Sequence, residues 1–156
     1  MHAVTPEKSR PRVTVAAIVE QDGRYLLVEE YDAHGQLVLN QPAGHLEAGE
    51  SVPEALVRQA LEVTGWQVEP IALVGVYLWG KPERDVSYLR VALAARGLRH
   101  DPAAPLDDGI VRAVWLTRDE LAACRERHRS ELVLRCVDDH RSGESYPLAA
   151  LKTLLS

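Results

Sequence analysis

The stretch GHLEAGESVPEALVRQALEVTGW, Gly44 to Trp66, holds the spacing that most suggests chemistry. Glu54, Arg58 and Glu62 follow one another at i, i+4 intervals, so on a helix they line one side. Gln59, Glu62 and Val63 fall close together on the adjoining side. Such a row has two uses. It can be a solvated ion-pair ladder, worth about a few tenths of a kcal/mol per pair. It can also be the polar seam of a helix beside a cleft, with carboxylates holding a divalent metal against a diphosphate. For the second use, Glu62 is the one carboxylate of its group, beside the neutral Gln59 and the apolar Val63. The stretch therefore poses a choice between a working hydrolytic site, a weakened one, and a site that only binds.

The elements that must position these side chains are readable locally. Ser51-x-x-Glu54 forms a capping box ahead of an apolar period, which predicts a helix over Val52 to Thr64. Val57, Ala60, Leu61 and Thr64 share one face at i, i+3, i+4 and i+7, and are expected to turn inward. Before it, RVTVAAIVE (Arg12 to Glu20) and RYLLVEEY (Arg24 to Tyr31) read as strands joined through Asp22-Gly23, a hairpin. After Gly65, ALVGVYLWG (Ala72 to Gly80) and VSYLRVALAA (Val86 to Ala95) read as a second hairpin, and IVRAVWL (Ile110 to Leu116) as a further strand. Thr117-x-x-Glu120 caps a second helix through RDELAACRER, and SELVLRCVDDH predicts a third. The proline-containing DPAAPLDDG (Asp101 to Gly109) is expected to be a long loop inside the domain. Hairpin, helix, more strands and then helices imply an α/β sandwich with a mixed sheet rather than a βαβ repeat.

Composition narrows the function classes. A chain of 156 residues that is 46% apolar can bury one sizeable core, and is expected to be a flexible segment over residues 1–11 followed by one domain over 12–156. A formal charge of −5 offers no basic footprint, so bulk nucleic acid is not the expected partner. No run of apolar residues is long enough for a membrane span, and the N-terminal MHAVTPEKSRPR is polar. Cys124 and Cys136 form no Cys-x-x-Cys or Cys/His cluster, which signals neither zinc nor a disulfide framework and fits a reducing cytoplasm.

Gly44, five residues, Glu50, seven residues, Arg58, then Glu62, Gly65 and the apolar Trp66, with apolar Ala60 between, resembles the Nudix signature G-x5-E-x7-R-E-U-x-E-E-x-G-U. PRVTVAAIVEQDGRYLLVEE, NQPAGHLEAGE, VRAVWLTRDEL, HRSELVLRC and SGESYPL resemble segments of the Nudix phosphatase subgroup, so the likeness spans about Arg12 to Leu151. The resemblance implies the Nudix α/β/α sandwich and Mg2+-assisted attack of water on phosphorus, with Mn2+ as a possible substitute. It implies that Glu62 is a metal ligand, with Gln59, Glu50 and Gly44 contributing at the metal. It also implies that Arg58 pairs with Glu50 and that Gly44 lets the backbone approach metal or phosphate without a Cβ in the way.

The family carries glutamate at the positions of Gln59 and Val63. Gln59 keeps a carbonyl oxygen but cannot act as a base, and Val63 offers no oxygen. Replacement acids are available in loops at Glu47, Asp107 and Asp108, which can equally be solvated turn residues. His45 can touch a phosphate. Tyr77, Trp79 and Tyr88 can stack on a base or simply pack, and Arg129, Ser130 and Arg135 can meet phosphate or cap the third helix. Cys136 reads as a small buried residue. The implied partner is a small nucleotide or cofactor diphosphate. Three readings stay open: a phosphatase of nucleoside di- and triphosphates or a cofactor diphosphate, an ADP-ribose-type pyrophosphatase, and an inactive domain that binds a nucleotide. The sequence leaves the oligomeric state open.

Overall fold

The computed structural model describes residues 10–155. The flexible segment expected over residues 1–11 thus falls outside the described residues, apart from Arg10 and Pro11. Strand β1 (Arg12–Gln21) turns into β2 (Arg24–Tyr31) through Asp22 and Gly23, whose φ angles of 53° and 80° are the two positive values a tight hairpin turn of this hand requires. Short β3 (Leu37–Asn40) and β4 (Ala43–His45) follow, then helix α1 (Val52–Thr64). Strands β5 (Trp66–Lys81), β6 (Val86–His100) and β7 (Ile110–Thr117) lead to α2 (Arg118–Ala123), α3 (Leu132–Arg141) and a short β8 (Tyr146–Pro147).

The strands form a mixed sheet in the order β3-β2-β1-β6-β5-β8, with β4 paired to β1 and β7 to β2. The β1–β6 pair is parallel and its neighbours are antiparallel. Because strand side chains alternate between faces, β1 feeds two cores. Val15, Ala17 and Val19 pack with Ala55, Leu56 and Ala60 of α1. Ile18 packs with Val133, Cys136 and Val137 of α3. This is the α/β/α sandwich expected, and among the described residues no helix is long and apolar enough to cross a membrane.

The ends of α1 fall where local chemistry puts them. Ser51 and Glu54 make both reciprocal bonds of the capping box, and Gly65 closes the helix in the left-handed region at φ 75°. A side chain at Gly65 would also meet the carbonyl of Asp101, whose N–H bonds back to Gly65.

The rotation of α1 differs from expectation. Leu61 is 44% exposed, Val57 is half-buried, and the inward face is Ala55, Leu56, Ala60, Val63 and Thr64. Leu56, Ala60 and Val63 are also an i, i+4, i+7 series, and this one meets the sheet. Strands β5 and β6 run longer than the expected Ala72 to Gly80 and Val86 to Ala95. Bulges at Gln67/Val68, Pro70/Ala72 and Leu73/Gly75 let the ladder continue past Pro70 and Gly75. Helix α2 is shorter than expected, because Cys124 leaves helical geometry and the chain turns through Arg125–Arg127 so that Arg129 N–H can bond Leu39 of β3.

Candidate active site

Arg58 organises the polar side of α1. Its Nε and Nη2 donate to the two oxygens of Glu50 at 3.0 and 2.6 Å, a bidentate pair that fixes both partners. Nη1 donates to Glu62 at 3.1 Å, Nη2 also to the carbonyl of His45 at 3.2 Å, and Glu47 lies 3.6 Å from Nη1. Glu50 accepts the N–H of Glu47 as well, at 2.9 Å. The Arg58 bonds, with this backbone bond as a lesser contribution, hold the Glu50 carboxyl below the ordinary range, and Glu50 in turn raises Arg58 further above its own. Glu54 takes no part: its carboxylate is spent on the capping box, so the simple Glu54-Arg58-Glu62 ladder is not formed.

Strand β4 joins this corner to a cleft on the other face of the sheet. Gly44 pairs with Val15 and faces α1, while His45 pairs with Thr14 and faces the cleft. The space over Gly44 is filled by the amide of Gln59, which a Cβ there would strike. Gly44 therefore admits Gln59 in this structure, where the sequence suggested room for metal or phosphate.

The cleft, of about 490 Å³, is lined among others by Gly44, His45, Trp79, Tyr88, Arg129 and Ser130. Trp79 and Tyr88 lie side by side with ring centroids 6.0 Å apart, and Trp79 Nε1 donates to Glu131 at 3.1 Å. Arg129 stands 3.5 Å from Glu30, and Ser130 Oγ accepts the Leu132 N–H at the start of α3. Two candidates are not brought here. Tyr77 turns its hydroxyl under α3 to donate to Asp139 at 2.6 Å, and Arg135 binds the same carboxylate at 3.0 Å beside a neighbouring groove. Burial raises both the Tyr77 hydroxyl and the Cys136 thiol, so each stays protonated at neutral pH.

Sequence reasoning missed Arg90, which also lines the cleft and is only 6% exposed. Its Nη1 donates to Gln41 at 2.8 Å and its Nη2 to Asn40 at 3.0 Å. A signal existed: in VSYLRVALAA it is the one charge inside an otherwise uncharged strand.

The model of the NUDIX domain matches residues 8–136. The chain belongs to the Nudix hydrolase family. Phosphatase NudJ of Escherichia coli strain K12 is 35% identical to it over 139 residues, 89% of each chain. A NUDIX hydrolase from Nitrosomonas europaea is 45% identical with a TM-score of 0.90, covering 93% of this chain and 98% of that one. A MutT NUDIX hydrolase from Burkholderia pseudomallei, at 21% identity and a TM-score of 0.72 over 84% and 98% of the two chains, shares the fold.

Nudix hydrolases generally need a divalent metal, and the α1 corner can be tested for donors. No group of three or more His, Cys, Asp or Glu among the described residues could hold an ion. Both oxygens of Glu50 are engaged, Val63 is 5% exposed and packed inward, and Asp107 and Asp108 are exposed, with the N–H of Asp107 bonded to the Glu62 carbonyl. Glu62 has one oxygen outside the Arg58 bond, and Gln59 a neutral carbonyl oxygen nearby in the chain. These donors fit Mg2+ shared with substrate phosphates, the arrangement that ion prefers, and do not make a cage that would retain it alone.

Proposed function

We propose that this Nudix hydrolase cleaves a phosphoanhydride bond in nucleoside di- or triphosphates or a related cofactor diphosphate, with Mg2+, and Mn2+ as substitute, and at reduced efficiency. The supporting observation is the Arg58 clamp, which draws Glu50, Glu62 and the His45 backbone together where α1 meets the edge of the cleft. Glu62 holds the metal with help from Gln59. Arg58 keeps Glu50 ionised and sets the direction of the Glu62 carboxylate, which carries the job that three acids share elsewhere in the family. When bound, the metal neutralises charge on the phosphoryl oxygens and acidifies water. We assign acceptance of the attacking water's proton to Glu47, whose side chain is 66% exposed and only loosely paired with Arg58. His45, Trp79 and Arg129 hold the organic part of the substrate. Two free cysteines suit a reducing compartment, and we assign the protein to the cytoplasm.

One observation favours a second reading. The lack of a metal-holding cluster among the described residues suits a domain that binds a nucleotide without cleaving it. Release of phosphate and pyrophosphate from a panel of nucleoside di- and triphosphates and ADP-ribose, across an Mg2+ titration, separates the two. Turnover should rise with metal without saturating early, and Glu62→Gln should lower it by more than about 100-fold. Ligand binding with no turnover at any metal concentration would establish the binder instead.

A further inference from the structure

Arg90 is a buried cation without a counter-charge. Two of its five N–H donors go to the neutral side-chain oxygens of Gln41 and Asn40, and its Nε–H is enclosed with no partner. Among the described residues it makes no ion pair. On α3, Asp139 is occupied by Tyr77 and Arg135, and the Cys136 thiol stays neutral. Buried charges in proteins are ordinarily paired, because leaving one unpaired forfeits solvation with nothing in return. Arg90 has the Cys136 thiol of α3 as a further neighbour, and it also lines the cleft, which is open to an anionic partner. That cleft carries four Lys or Arg side chains, Lys81, Arg84, Arg90 and Arg129, against the carboxylates of Glu30 and Asp32, in a chain whose net charge is −5.

Its position fixes which part of a substrate it meets. His45, Thr14 and Arg90 form one cross-strand row, from β4 through β1 to β6. Two strand spacings, about 10 Å between backbones, separate His45 from Arg90. The α1 carboxylates lie beyond His45, on the opposite face of the sheet. Arg90 and the α1 carboxylates thus lie on opposite faces of the sheet, so an anion on Arg90 is approached from the cleft and not from the α1 corner.

We propose that Arg90 binds a second anionic group, a phosphoryl or carboxylate, on the organic part of the substrate, making the preferred substrate one that carries negative charge at both ends. This rests on the hydrolase reading for the word substrate, but the site can be examined without catalysis. In metal-free solution the α1 corner, with Glu47, Glu50 and Glu62 around one arginine, repels anions, so anion binding there reports on the cleft.

Calorimetry in EDTA with a neutral nucleoside, the matching nucleoside monophosphate and inorganic phosphate measures it. The monophosphate should bind unmodified protein at least about 10-fold more tightly than the nucleoside. Arg90→Gln, which keeps an amide N–H for Asn40 or Gln41 but loses the charge, should remove that preference, and Arg90→Lys should keep part of it. A measurable effect of inorganic phosphate identifies the phosphoryl group as sufficient; dicarboxylates binding in its place identify a carboxylate. Equal affinity of unmodified protein for nucleoside and monophosphate overturns the proposal without any variant, and so does a preference that survives Arg90→Gln. Anion binding without turnover would leave Arg90 assigned and remove the hydrolase reading; turnover with no anion preference would do the reverse.

Discussion

At the α1 corner one guanidinium, Arg58, serves Glu47, Glu50 and Glu62, whereas in the cleft another, Arg90, has only neutral oxygens. The first region has acid in excess of base and the second has base in excess of acid. They lie on opposite faces of one sheet and meet at β4, where Gly44 turns toward the first and His45 toward the second. A metal-bearing phosphate chain complements the acidic corner, and a bare anion complements the cleft. Gln59 and Val63 add nothing to the acid excess at the corner, since neither side chain carries a charge.

The largest expected effect comes from enlarging that excess. Gln59→Glu with Val63→Glu should raise Mg2+-dependent turnover by more than about 10-fold, and by more than the single changes combined, because ligands of one metal are not additive. The two positions differ in what they do to the metal-free protein. Gln59 is half-buried over Gly44 and its replacement is isosteric, so the metal-free melting temperature should move little. Val63 is 5% exposed, so a carboxylate there is desolvated and should lower the melting temperature clearly, with Mg2+ restoring it. If the unmodified protein already matches the double variant at low metal, the corner has found its charge elsewhere and the comparison of the two regions fails.

Removing the shared cation comes next. Arg58→Ala leaves Glu47, Glu50 and Glu62 repelling one another and breaks the bidentate bond to Glu50, and should cost about 2 kcal/mol of stability in denaturant unfolding. Arg58→Lys keeps the charge but not the fork, so it should fall between the two. A lysine variant as stable as the original would mean that charge alone, and not the geometry of the clamp, holds the corner together.

How far these regions were legible in the sequence follows from how far apart their parts lie. The bounds of α1 are set by Ser51, Glu54 and Gly65, all local, and they were predicted to the residue. The Asp22-Gly23 turn is local in the same way. The rotation of α1 is not. Val57-Ala60-Leu61-Thr64 and Leu56-Ala60-Val63 both satisfy helical spacing, and contact with the sheet decides for the second. Among the candidate residues, Glu50 and Arg58 are eight apart and were recognised as a pair, while Arg90 meets Asn40 at a separation of 50 residues across the sheet, beyond any local pattern. Tyr77 shows the converse, since strand periodicity groups it with Trp79 and only the position of Asp139 on α3 draws its hydroxyl away.

The smallest effect is one of pH, and it distinguishes the two arginines because the hydrogen-bond partner of Arg58, Glu50, is a carboxylate while those of Arg90 are neutral amides. Glu50 has its carboxyl held below its ordinary value of 4.5, chiefly by the hydrogen bonds from Arg58. A group with a depressed folded value stabilises the fold fully above its unfolded value, and the contribution disappears as pH falls through the folded one. The stability difference between unmodified protein and Glu50→Gln should therefore be constant near neutrality and shrink on acidification below 4.5. Its size should be about 1 kcal/mol, since Glu50 and Arg58 keep side-chain exposures of 15% and 25% and solvent screens the pair in part. Arg90→Gln supplies the contrast, because Arg90 bonds the neutral side chains of Asn40 and Gln41, and its difference from the unmodified protein should vary less there than that of Glu50→Gln. Urea unfolding midpoints of the three proteins between about pH 3 and 7 test both statements. A Glu50→Gln difference that stays flat to the acid end would show that Arg58 does not hold Glu50 in solution, and the acidic corner would then lack the clamp on which its reading depends.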